Sequence, residues 1–131
     1  VRVLQLSDFH MSHRMPASHV RGAVEKANHF DCDLIALTGD FVHAGFTHVD
    51  AIADILSALR ARLGVYAVLG NHDHAIRFRG RKSRVSLSEA IIRALTSAGI
   101  TVLMNEHRVL EHRGSRLAVA GIDDLWSGQA D

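Results

Sequence analysis

The sequence predicts an α/β fold built on a mostly parallel sheet. Short apolar runs alternate with amphipathic stretches along the chain, in the order β-α-β-α-β-α-β followed by β-β. Parallel strands need crossover connections, and right-handed crossovers lay helices on the faces of the sheet. The 131 residues, 47% hydrophobic and 22% charged, suffice for a single domain with a real core.

Residues 2–6 (RVLQL) are the first predicted strand. Val20, Ala23, Val24, Ala27 and Phe30 recur at helical spacing and predict a helix over 18–30. Residues 33–38 (DLIALT) form a near-continuous apolar run, suited to a strand buried on both faces. A second helix is predicted over 47–63. Thr47 and Asp50 have capping-box spacing, Val49, Ile52, Ile55, Leu56, Leu59 and Leu63 supply the stripe, and Gly64 is the stop signal. Residues 65–69 (VYAVL) read as a third buried strand. Ser86 and Glu89 predict a capping box for a helix over 87–98, ended by Gly99. Strands follow at 100–104, 107–111 and 116–122, the last two joined as a hairpin through "HRGS". Residues 75–86 are the most loop-like stretch.

Bulk properties exclude several classes. A net charge of +1 argues against extended nucleic-acid binding. The single cysteine, Cys32, rules out an internal disulfide framework and reads as a packed or partly exposed thiol. No apolar run approaches the roughly 18 residues of a membrane helix. The chain begins on a strand at Val1, so removal of an upstream segment is expected. Nothing matches a nucleophilic serine triad, a P-loop or a dinucleotide fingerprint.

The carboxyl ends of the first three strands carry the chemistry. They read Asp8-Phe9-His10, Thr38-Gly39-Asp40 and Gly70-Asn71-His72-Asp73. In a parallel sheet these ends share one edge, where open α/β sheets bind ligands. Each motif alone is compatible with a turn. Together, each directly after an apolar strand, they bring carboxylate, imidazole and amide oxygen to one place, a donor set for Mn, Fe or Zn. A carboxylate such as Asp40 can bridge two ions about 3.5–4 Å apart. Gly39 and Gly70 leave room for sharp turns.

"SDFH", "LTGD" and "LGNHD" resemble the first three motifs of the calcineurin-like metallophosphoesterases, D-x-H, G-D and G-N-H-D/E. The later "VAGIDDLWSG" (119–128) resembles a segment of a bacterial branch that includes membrane-associated and lipid-acting phosphohydrolases. The resemblance implies a four-layer α/β/β/α sandwich around two metal ions. It further implies that Asp8 and His10 bind the first ion, Asp40 bridges, and Asn71 binds the second. His72 would stabilise the transition state or protonate the leaving oxygen, with Asp73 orienting it. A two-metal-activated hydroxide would attack phosphorus in a phosphomonoester, a phosphodiester or a lipid-linked pyrophosphate.

One departure matters. The family pattern continues with a Gly-His and a Gly-His-x-His, and this sequence contains no Gly-His pair. Residues 1–131 are therefore expected to be the amino-terminal part of such a domain, a partial sandwich. The second ion would keep only Asp40 and Asn71. Weak metal binding, slow or absent turnover and an exposed edge on the second sheet are expected.

His13, His43 and His74 follow the three motifs and are expected to line a substrate cleft or face water. Arg77, Arg79, Arg81, Lys82 and Arg84 form a basic run that reads as an anion-attracting flap or a solvated loop. Asp123, Asp124 and Trp126 read either as pocket-shaping residues or as a capped turn with Trp126 on the core. The alternatives to a phosphoesterase are a nuclease-like member of the same superfamily and a non-catalytic metal- or protein-binding remnant.

Overall fold

The computed structural model describes residues 1–74, 86–128 and 130–131. Four strands, β1 (Val3–Leu6), β2 (Leu34–Thr38), β3 (Val65–Val68) and β4 (Thr101–Val102), form one sheet in the order β1-β2-β3-β4. Every pairing in it is parallel, as the alternating pattern predicts. Helices α1 (Ala17–Asn28), α2 (Val49–Leu56) and α3 (Leu87–Ser97) are the crossovers. They bury Val20 and Val24, Ile52 and Leu56, and Ile91 and Leu95 in one continuous core with Ile35 and Leu37 of β2.

Strands β5 (Glu106–His112) and β6 (Ser115–Gly121) form an antiparallel hairpin. Their Leu110, Leu117 and Val119 pack against Leu34, Tyr66 and Leu103, a separate apolar cluster. A Cβ on Gly121 would lie 2.4 Å from that of Leu103, so glycine permits the close approach of the second layer to the first. Helices, parallel sheet and hairpin are three layers of the expected sandwich. Val109 and Ile122 remain 45% and 63% exposed, as expected for a second sheet with few strands.

The second helix differs from expectation at both ends. The second helix stops at Leu56, although its apolar stripe runs on to Leu59 and Leu63. Asn28, at the end of α1, donates to the Ala58 carbonyl and accepts the Arg60 amide, replacing the bonds a continuing helix would need. Its N-cap is His48 with no side-chain bond, so the Thr47–Asp50 capping box does not form. The Ser86–Glu89 box does form, with both reciprocal bonds present. Cys32 is buried. Among the described residues, no helix is long and apolar enough to cross a membrane.

Candidate metal centre

The pairing of β1 with β2 does not end where the strands do. The Asp8 amide donates to the Gly39 carbonyl, that of His10 to Asp40, and that of Met11 to Phe41. The two post-strand segments therefore run side by side and carry their side chains in step. Each contains an Asp-Phe pair, Asp8-Phe9 and Asp40-Phe41. The phenyl rings are buried and stacked, with centroids 6.2 Å apart, while the aspartates lie at the sheet's carboxyl edge. The apolar partner of each pair thus anchors the polar one.

Asp8, His10 and Asp40 all adopt positive φ, at 58°, 43° and 56°. That region costs an L-residue roughly 1–3 kcal/mol, and such strain concentrates where function needs it. Ligand atoms of the three lie within 4.8 Å of one another. His10 Nε2 stands 3.6 Å from Asp8 Oδ1 and 3.5 Å from Asp40 Oδ2, too long for hydrogen bonds. The other oxygen of each carboxylate is held. Ser7 Oγ donates to Asp8 Oδ2 at 2.5 Å, and the His72 amide donates to Asp40 Oδ1 at 3.0 Å. Each carboxylate is thus oriented through one oxygen and presents the second to a shared point, the design of supported metal ligands. His10 Nδ1 is buried without a hydrogen-bond partner among the described residues.

Glycines make the close approach possible. A Cβ on Gly70 would lie 2.2 Å from Asp40 Oδ1, and one on Gly39, at φ +88°, 2.3 Å from the Gly70 amide nitrogen. Asn71 sits half-buried in the turn that Asp73 closes by donating its amide to the Gly70 carbonyl.

A family model described as calcineurin-like phosphoesterase matches residues 1–129. The chain belongs to that family. It is 33% identical over 129 residues to phosphodiesterase YaeI of Escherichia coli (strain K12), covering 98% of this chain and 45% of that protein. It is 30% identical to the uncharacterized metallophosphoesterase YkuE of Bacillus subtilis (strain 168), covering 99% of this chain and 43% of the relative. UDP-2,3-diacylglucosamine pyrophosphatase LpxG of Chlamydia trachomatis matches at 36% over 76 residues, 57% of this chain and 23% of that one. The solved structure of phosphopantetheinyl hydrolase (PptH) from Mycobacterium tuberculosis shares the fold, with a TM-score of 0.57 and 18% identity over 92% of this chain and 42% of that one. The chain thus spans less than half the length of the first two curated relatives.

In a chain of this family the donor set of Asp8, His10 and Asp40 fits a divalent ion. One imidazole nitrogen and two carboxylates suit Mn, Fe or Zn, and their spacing matches atoms that share an ion rather than a proton.

Other predicted residues stand differently. Asp73 does not orient His72. Its carboxylate is buried and accepts backbone amides from Asp40 at 2.8 Å, Phe41 at 2.9 Å and Gly70 at 3.0 Å. The carbonyl of His43, 2.8 Å away, holds His72 Nδ1 instead. Burial foremost pushes the Asp73 carboxyl up to about 6, against the pull of its backbone donors and with the Asp40 charge adding to the rise.

His74 does not line an open cleft. Its side chain is 10% exposed and its Nε2 lies 2.7 Å from Asp123 Oδ1. That bond ties the segment after β3 to the segment after β6. Sequence reasoning left Asp123 undecided, because its partner is 49 residues away. Asp124 caps a 3-10 turn over Leu125–Ser127, but Trp126 is 68% exposed rather than buried on the core. His13 packs edge-on against His48, with centroids 5.5 Å apart. His43, by contrast, joins His10 and His72. The basic run with Arg77 and Arg79 lies outside the described residues.

Proposed function

We propose that these residues supply the first half of a metal-dependent active site that hydrolyses phosphate esters. The observation that carries it is the convergence of Asp8, His10 and Asp40, each at positive φ, with ligand atoms within 4.8 Å. Asp8 and His10 would hold a first ion, Asn71 a second, and Asp40 would serve both. Bound divalent ions supply charge neutralisation at phosphorus and a more acidic water. His72, held at Nδ1 by the His43 carbonyl, presents Nε2 to the phosphoryl group and, as the doubly protonated imidazolium, delivers its Nε2 proton to the leaving oxygen and returns to the neutral Nδ1–H ring. Asp73 acts on the site through the backbone, fixing the turn that carries Asp40.

The similarity to a phosphodiesterase and to a UDP-2,3-diacylglucosamine pyrophosphatase favours a phosphodiester or a lipid-linked pyrophosphate as substrate. The histidine motifs that complete the family's pattern are not among these residues, and on this reading residues 1–131 alone should bind the second ion weakly and turn over slowly or not at all.

The test is metal analysis together with hydrolysis of a chromogenic phosphodiester by the protein and two variants. Asp40→Ala should lose metal. His72→Ala should retain metal and lose turnover by about 10²–10⁴-fold, the range for a positioned acid. Full metal content in Asp40→Ala would overturn the reading.

A further inference from the structure

We propose that His43 forms, with His10 and His72, a three-imidazole subsite for a borderline transition ion of the zinc class, distinct from the oxygen-rich set at Asp8 and Asp40. The three rings come from separate segments, after β1, β2 and β3. Their centroids are 4.6 Å apart for His10–His72, 5.2 Å for His43–His72 and 5.8 Å for His10–His43. One ring nitrogen from each lies within 4.8 Å of the others. Nitrogens sharing a tetrahedral zinc ion stand about 3.3 Å apart, so a contraction of about 1.5 Å at most closes the set. His43 is exposed and can supply that movement.

The tautomer of His72 favours ligation. A carbonyl accepts only from N–H, so the contact with the His43 oxygen places a proton on Nδ1 and the lone pair of the neutral ring on Nε2. Metal-binding imidazoles are held in the same way, by a carbonyl or carboxylate on the ring's other nitrogen. Here one residue plays two parts: the His43 backbone orients His72 and the His43 side chain stands beside it.

Three imidazoles select differently from the neighbouring carboxylates. They favour zinc, copper or nickel over manganese, whereas the neighbouring set of two carboxylates and one imidazole accepts manganese as well as zinc. Three protein ligands with an open position also describe zinc sites that take a water or an anion. The subsite shares His10 and His72 with the active site proposed above, and rests on that reading only for its consequence. An ion there withdraws His72 from the leaving group, so excess zinc inhibits a manganese-loaded protein.

Calorimetric titration of zinc and of manganese into the protein, Asp8→Asn, His43→Ala and the double variant tests this. Folding of each is checked by circular dichroism, and exposed His43 is safe to replace. Asp8→Asn should weaken manganese and keep a zinc step. Adding His43→Ala should weaken that zinc step by tenfold or more, since loss of even an outer partner of a metal ligand costs about 10–100-fold. His43→Ala alone should leave manganese affinity unchanged. Equal zinc affinity with and without His43 overturns the subsite, as does loss of manganese on removing His43. Manganese affinity unaffected by Asp8→Asn overturns the proposed active site instead, and leaves the zinc comparison standing.

Discussion

The buried carboxylate of Asp73 accepts the backbone amide of Asp40 at 2.8 Å, and through that bond the third strand end fixes the second. The same carboxylate takes the amides of Phe41 and Gly70, so one side chain satisfies the donors of two sharp turns. Asp73→Ala leaves those amides buried and unpaired. It should lower stability by about 2–4 kcal/mol, given roughly 1–3 kcal/mol for an orphaned buried group. Asp73→Asn keeps one acceptor oxygen and should fall between the two. Urea unfolding monitored by far-ultraviolet circular dichroism measures both.

Gly70→Ala probes the packing of the site rather than its ligands. The added methyl would sit 2.2 Å from Asp40 Oδ1 and 2.7 Å from its amide nitrogen, so Asp40 must move. Metal affinity should drop although every ligand remains in the sequence. A manganese titration of Gly70→Ala against the unaltered protein reads this directly.

Phe41 is fully buried and stacks on Phe9, so its ring holds the Asp40 segment in place from below. Phe41→Ala should cost about 3–5 kcal/mol, the range for deleting a buried phenyl group. Phe41→Leu, which fills most of the space, should cost clearly less. The two midpoints in urea give the comparison.

A different acidic residue contributes to stability at low pH. Asp33, its side chain 7% exposed, accepts the Arg2 amide at 2.8 Å and pairs with Arg62, with His112 Nε2 at 3.9 Å. The Arg2 amide foremost, with Arg62, lowers its pKa from 3.8 to about 2. A carboxyl with a depressed folded pKa binds protons more readily when unfolded. Its stabilisation is therefore fully present above pH 4 and lost as the pH falls from about 4 to about 2. The gap in thermal midpoint between the protein and Asp33→Asn should be larger at pH 5 than at pH 2 and close across that acid window.

The parallel sheet and the edge carrying Asp8, His10 and Asp40 were legible in the sequence because both follow from local rules. Apolar runs set the strands, and parallel strands must share an edge. The capping box at Ser86 and Glu89 was legible for the same reason. What was hidden depends on residues distant in sequence. Asn28 ends α2 from another helix, against a stripe that continues to Leu63. Asp73 faces the amides around Asp40 instead of its neighbour His72, and only the folded turn shows it. The grouping of His43, and not His13, with His10 follows from the bridge that pairs Met11 with Val42 and carries the chain past the strand end. Spacing alone carries no sign of that extension.

The central claim is that Asp8, His10 and Asp40 hold a metal ion. Anomalous diffraction from a crystal grown with manganese tests it most directly. The account predicts a peak in coordination contact with His10 Nε2, an Asp8 oxygen and an Asp40 oxygen. A well-ordered site with no anomalous density between those three atoms, at manganese concentrations that saturate binding in solution, would contradict it.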